Sequence, residues 1–388
     1  MGMIRRSSAT SLAGWFVLLA VLLSAVTVTA YAVTRSGPPK PPQRSLASAV
    51  HVALSHHPVA GVSARFTIDQ HLLAGSSTTI SASPISGATG SVFVGGGHVR
   101  VNIKSQLGTT ALSFNGHQVT LYDRKHHVAY ILPVAHHASD HADAAHAHAV
   151  PTIAEIQKAI ARLGHIAVVS GAIPSNVADH KAYTVRAAPR RNDGLFGNFE
   201  LAWDAAQGIP LRLAVYPHGS STPAIAITVT HIRYGTVPAA HLALALPAGT
   251  KIVHVHMPSR SDRSQAAHSA SVTGTAAVAK AVGFRLAAPA KLAGMSQREV
   301  RSVNVGKSPA ALLTYGRGLG AIFVLEQHET ARQSSLQALP SASINGVHGR
   351  ELDTTLGSLV QWSRGGITYT VVGSQPAARI MTAAQALH

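Results

Sequence analysis

The chain has 388 residues, 46% hydrophobic but only 5% aromatic, so its cores must be built from Val, Ile, Leu and Ala, and its length suits two globular units plus a membrane or export segment. The complete lack of cysteine excludes disulfides, a thiol nucleophile, cysteine zinc sites, iron–sulfur clusters and acylation of an N-terminal cysteine. With 32 Lys and Arg against 15 Asp and Glu, the formal charge of +17 attracts polyanions such as anionic lipid or cell-wall polymer; no zinc-ligand spacing, basic helix or aromatic RNA-binding signature supports a nucleic-acid partner.

Arg5 and Arg6 precede an uncharged stretch whose core, Leu12 to Val33, is long enough as a helix to cross the hydrocarbon layer, which needs about 20 residues. The stretch fits either an uncleaved signal anchor or a secretory signal cut at Ala30-Tyr31-Ala32. Its length favours the anchor, because a cleavable apolar region usually runs about 7–15 residues. Residues 1–34 are thus expected to be a transmembrane helix of a single-pass membrane protein, with everything after Thr34 extracytoplasmic, or secreted if the signal is removed. Gly37-Pro38-Pro39-Lys40-Pro41-Pro42 cannot join helix or strand ladders, so residues 35–44 read as a stiff spacer.

Residues 45–258 form the first folded unit. Leu46 to Leu54 reads as a short helix, ended by Pro58. From Gly61 the pattern turns to period two, with Ala64, Phe66 and Ile68, then Val92 and Val94, then Val99, Val101 and Ile103, as half-buried antiparallel strands require. Asn115-Gly116 suits a tight hairpin between Ala111–Phe114 and Val119–Tyr122, since both residue types tolerate positive φ. A strand at His127 to Leu132 follows. Pro151-Thr152-Ile153 opens a helix with Ile153, Ile156, Ile160 and Leu163 on one face and Gly164 at its end. Strands resume at His165–Val169, Ala182–Ala187, Asn198–Trp203, Leu211–Tyr216 and Ala224–Tyr234. A curved antiparallel sheet of this size needs helices over its inner face, and incomplete cover leaves an apolar cavity suited to a lipid or acyl chain.

The order of these pieces resembles the LolA and RseB superfamily of envelope proteins. The resemblance rests on Val62-Ser63-Ala64-Arg65-Phe66, Gly90-Ser91-Val92-Phe93-Val94, a strand carrying Arg100, the Phe114-Asn115-Gly116 turn and Leu121-Tyr122-Asp123. It also rests on His241–Thr250, which is similar to the family's closing strand and Pro-x-Gly turn. It implies an unclosed antiparallel β half-barrel with a helical lid, holding an acyl chain or lipidated protein without chemistry. Carriers of the lipoprotein-sorting branch have an Arg-Pro pair where this chain has Gly95-Gly96-Gly97. That departure favours lipid binding, or an RseB-like regulator that binds an anti-sigma factor, over lipoprotein shuttling.

Residues 259–275 are polar and small and read as a linker. Residues 276–388 then form a small α+β unit: a helix at Ala276–Val282, strands at Val300–Val305, Ala311–Tyr315, Ala321–Glu326, Gly346–Thr354, Leu359–Arg364 and Ile367–Val372, and a closing helix from Pro376. Arg364-Gly365-Gly366 makes a hairpin. The fold class expected is therefore α+β throughout, and the second unit resembles the C-terminal domains of RseB-like proteins.

Candidate cavity-wall residues are Phe66, Ile68, Val92, Val101, Ile103, Leu112, Phe114, Leu201, Trp203, Leu213 and Val215. A register error of one residue would invert this list. No nucleophile elbow, phosphate loop, dinucleotide fingerprint or His-Glu-x-x-His motif occurs, so neither an enzyme nor a cofactor is expected. The run His136 to His148 carries imidazoles and carboxylates that suit metal binding or acid sensing, against the plainer reading of a composition-biased loop, and no metal site is assigned. His126-His127 and His254-Val255-His256 read as solvated strand residues.

Overall fold

The structure is a computed structural model describing residues 39–56, 59–73, 87–106, 108–134, 150–191, 193–255, 272–306, 308–329 and 339–387. The apolar N-terminal segment, the His136–His148 run and most of the expected linker lie outside the described residues. Among the described residues no helix is long and apolar enough to cross a membrane.

The first unit is one open sheet. Its strands are β1 (Gly61–Gln70), β2 (Ala88–Gly95), β3 (His98–Ser105), β4 (Gly108–Phe114), β5 (Gln118–Asp123), β6 (Val128–Pro133), β7 (Ala167–Val169), β8 (Ile173–Val177), β9 (His180–Pro189), β10 (Phe196–Asp204), β11 (Pro210–Pro217), β12 (Ile225–Tyr234) and β13 (Lys251–His254). They run in the order β13-β6-β5-β4-β3-β2-β1-β12-β11-β10-β9-β7, with β8 also on β9. The edges do not meet, so the half-barrel is unclosed. Bulges at Arg65/Phe66 and Ala202/Trp203 break the ladder register; such insertions bend a strand and increase its twist.

Two hairpins refine the expected turns. Gly116 takes φ 89, but Asn115 stays outside the left-handed region and instead accepts the N–H groups of His117 and Gln118 on its side-chain oxygen. The β8–β9 turn, absent from the sequence reading, puts Ala178 and Asp179 at φ 52 and 66 without any glycine to announce it.

The helices are α1 (Leu46–Leu54), α2 (Ile153–Leu163) and α3 (Ala239–Leu242). Ser45 caps α1 and a Thr152–Glu155 capping box starts α2. Only Ile156 of α2 is buried and Ile153 is exposed, so its apolar face is used less than its periodicity suggests. The segment expected to close the sheet is irregular: past α3, Leu244 and Leu246 pack on Ala111, Tyr122 and Ala129. Closure falls to β13, which pairs parallel to β6. The Pro-rich stretch is also no stand-off from residue 39 onward. Prolines lack an N–H but keep a carbonyl, and Asn176 Nδ2 and the Tyr183 hydroxyl donate to the carbonyls of Pro39 and Pro42, at 3.1 and 2.6 Å.

The second unit is an eight-stranded sheet, ordered β14-β15-β16-β17-β21-β20-β19-β18. These are β14 (Lys291–Leu292), β15 (Met295–Val305), β16 (Ser308–Tyr315), β17 (Ile322–His328), β18 (Ser341–Ile344), β19 (Val347–Thr354), β20 (Gly357–Arg364) and β21 (Ile367–Gly373). Helices α4 (Thr275–Val282) and α5 (Ala377–Gln385) supply Val278, Val282, Ile380, Ala383 and Ala384 to a core with Leu313, Tyr315, Val324 and Trp362. Residues 272 and 273 already belong to this sheet, through Val272–Ser302 hydrogen bonds and a Thr273–Arg301 bridge. The chain is thus mostly β, with few short helices, rather than the α+β balance expected; the short edge strands β8, β14 and β18 enlarge both sheets.

The two units are joined by a buried polar knot. Gln375 donates from Nε2 to the carbonyls of Asp193 and Gly320, both at 2.6 Å, and the Leu195 N–H donates to Ser374 O at 2.9 Å.

Candidate ligand-binding face

Cross-strand partners in an antiparallel ladder point to the same side, so registry decides which side chains share a face. Phe66 pairs with Gly90, Ile68 with Ala88, Val92 with Val101, Gly90 with Ile103, Val101 with Leu112 and Val99 with Phe114. In the other direction Ile68 pairs with Ile227, Ile227 with Leu213, Leu213 with Leu201, and Ile225 with Val215. Trp203 lies two residues beyond Leu201. All eleven sequence-chosen side chains therefore lie on one face, termed here the inner face.

The residues divide by what covers them. Helix α1 places Ala49, Ala53, Leu46 and Val50 against Tyr183, Leu201, Trp203 and Leu213, so that end is packed by the protein's own helix. Phe66 and Ile68 form a second cluster with Ala88, backed by Val92, Val101 and Ile103. Gly90 makes that cluster possible: a Cβ there would sit 2.2 Å from Phe66 Cζ, so the ring lies flat across the glycine. Leu112, Phe114 and Val215 are only half-buried.

Registry adds residues that the sequence reading left out. Leu112 pairs with Leu121 and Phe114 with Val119, and those two pair with Tyr130 and Leu132. Leu121 and Tyr130 are 40% and 43% exposed, and Ile227 is exposed on the same face. The signal was present in the alternation of Val119 and Leu121, then of Val128, Tyr130 and Leu132. From β1 to β6 the face spans about 24 Å at the usual strand spacing. Its rim is polar: Asp123, on the inner side by its pairing with Thr110 and Val128, lies 2.7 Å from His126 Nδ1. Hydrogen bonding from His126 holds that carboxyl below its ordinary range.

The opposite, outer face is apolar over β4 to β6, where Leu244 and Leu246 pack on Ala111, Tyr122 and Ala129, and carries ion pairs over β9 to β11. There Glu200 accepts from Arg186 at 2.7 Å and from Arg212 at 3.0 Å. Burial pushes the Glu200 carboxyl up, but the two guanidinium groups outweigh it and hold the group below its ordinary range. A further buried pair, His180 Nδ1 with Asp204 Oδ2 at 3.1 Å, sits where β9 meets β10. Asp204 Oδ1 also accepts the Ala206 and Gln207 N–H groups, yet burial raises its pKa. Among the described residues no group of three or more His, Asp or Glu is arranged to hold a metal ion.

No protein-family model and no curated protein matches this chain. Solved structures do show a weak likeness. The crystal structure of MucB in complex with MucA(peri) aligns over 87% of this chain and 96% of its own, with TM-score 0.41 and 14% identity. The Pseudomonas aeruginosa MucA/MucB complex aligns over 87% and 95%, with TM-score 0.41 and 15% identity. An uncharacterized conserved protein from Thermus thermophilus covers 54% of this chain and 97% of its own, with TM-score 0.33 and 13% identity.

Proposed function

We propose that this chain is a non-catalytic extracytoplasmic carrier or sensor that holds an acyl chain of a lipid or lipidated protein against its inner face. The observation that supports this reading is the unbroken apolar strip from Val92 through Val101, Leu112 and Leu121 to Tyr130, whose outer members are substantially exposed. Water contact with such a strip is unfavourable by about 25 cal/mol per Å², and a flexible chain laid along it removes that contact without demanding a specific polar partner. The test is mass spectrometry of lipid carried by the full chain purified from its membrane, beside the variant Leu121→Glu. Leu121 is exposed, so the variant should fold and lose the bound lipid. A wild type free of acyl ligand, or a variant that carries as much, would overturn the reading.

A second reading, a regulator that binds the extracytoplasmic part of an anti-sigma factor, is favoured by the open edge of β13. Among the described residues β13 pairs only with β6, and Ile252 is exposed on it. A free strand edge is a template for an added strand from a partner. Lys251 and Val255 donate to β6, so the alternate N–H of Ile252 faces the free edge. Recovery of a regulatory membrane protein with the full chain, lost on substituting Pro for Ile252, supports it, and recovery unaffected by that change removes it.

A further inference from the structure

The outer face carries two features that the lipid-holding role does not use. Val168 pairs with Ala188 and Ile173 with Thr184, so both point to the same side as Arg186, away from the inner face. They are 56% and 44% exposed, and neighbouring Ile166 is 65% exposed. Three aliphatic side chains in water along one sheet edge are costly unless something covers them.

Beside them the same face is basic. Arg212 lies across from Ala202, Arg65 across from Ser91, Arg233 across from Ser63, and Lys104 across from Thr89. With Arg186 these cations extend from β9 to β3, about 29 Å at the usual strand spacing. Among the described residues, the strand carboxylates on this face are Asp69, Glu200 and Asp204; Glu200 is already held by Arg186 and Arg212, and Asp204 is buried against His180. An apolar edge beside a cationic plate matches the chemistry of a bilayer surface, where aliphatic groups enter the headgroup layer and guanidinium groups meet phosphates.

The course of the chain fixes where that edge sits. Arg44 bridges to Ala172, one residue before β8, and Pro39 is held by Asn176. Between Val33, the end of the apolar run, and Pro39 stand five residues, which reach no more than about 20 Å. If residues 12–33 span the membrane, as the sequence suggests, the β7–β8 edge is confined to the bilayer surface. We infer that the outer face docks on anionic phospholipid headgroups, with Ile166, Val168 and Ile173 entering the interface and Arg65, Lys104 and Arg233 pairing with phosphate. Docked in this way, the inner face is turned away from the headgroups and its open strip is presented sideways to a guest. The inference rests in part on the membrane-span reading, and the experiment separates the two.

The chain has no cysteine, so Ile173→Cys and Leu319→Cys give single attachment sites for a polarity-sensitive fluorophore. Leu319 is an exposed position in the second unit and serves as the reference. The full chain is placed in vesicles of phosphatidylcholine with or without phosphatidylglycerol, and quenching by headgroup spin-labelled lipid is read. The label at 173 should be quenched several-fold more than the label at 319, only with phosphatidylglycerol present, and reversibly with salt. Each of Arg65→Gln, Lys104→Gln and Arg233→Gln should weaken docking roughly fivefold.

Equal quenching at 173 and 319 in vesicles with which the chain floats overturns the docking face while leaving the span intact. Failure to float with pure phosphatidylcholine removes the span reading. The docking face then stands only if the chain still binds phosphatidylglycerol vesicles through position 173. Preference for a soluble polyphosphate over those vesicles in competition would overturn the lipid assignment.

Discussion

Glu326 offers a test of the second unit that can be worked through to a number. It lies on β17 between Ala311 and Tyr369, fully buried, with Oε2 accepting the Ala287 N–H at 3.1 Å and Oε1 without a partner among the described residues. Burial pushes its pKa from 4.5 up to about 7. The unfolded chain therefore loses this proton near pH 4.5 and the folded chain only near pH 7. Between those values the unfolded state binds fewer protons, so stability falls as pH rises, by about 3 kcal/mol across the interval. Glu326→Gln keeps an oxygen for Ala287 but cannot ionise. Urea unfolding of both proteins from pH 5 to pH 8 isolates this one group, because the two chains differ at no other ionisable side chain. The stability of the variant relative to wild type should rise by about 2–3 kcal/mol over that range, whatever constant offset the buried amide adds. A flat difference, or one that falls with pH, would refute a protonated carboxyl in this core.

Two further outcomes probe the first unit. Asp204→Asn retains the oxygen that receives Ala206 and Gln207 while removing the charge beside His180, and should cost about 1–2 kcal/mol. Asp204→Ala loses both roles and should cost about 3–5 kcal/mol; equal losses in denaturant melts would show that the pair with His180 contributes all of the effect. Gly90→Ala forces the Phe66 ring aside and should cost about 1–3 kcal/mol, most of it recovered in a Phe66→Leu background. A full loss that persists in that background would mean the Asn102 carbonyl, 2.8 Å from the added Cβ, is the obstacle instead.

Local pattern made much of the first unit legible. The run Leu46 to Leu54, and Pro151-Thr152-Ile153 with apolar residues at helical spacing up to Gly164, marked two helices whose ends the structure reproduces closely. Strict alternation in Ala64-Arg65-Phe66-Thr67-Ile68 set the register, so Phe66, Leu112 and Leu213 could be assigned to one side before any strand order was known. The turn at Ala178-Asp179 was invisible because neither residue advertises positive φ. The segment Leu244–Leu246 alternates like a strand, yet it lies across Ala111 and Tyr122 and finds no ladder partner.

What the sequence determined alone is what repeats within a few residues: which side chains point together, where hairpins close at Asn115-Gly116 and Gly365-Gly366, and the lack of thiol chemistry. What the tertiary structure decided comes from residues far apart in the chain. Val62 pairs with Tyr234, α1 lies over Trp203, and Gln375 bonds to Asp193. Period-two alternation assigns a side chain to a face but carries no information about which distant element will cover it. The division of the apolar face into a helix-packed end and an open strip therefore required the folded chain.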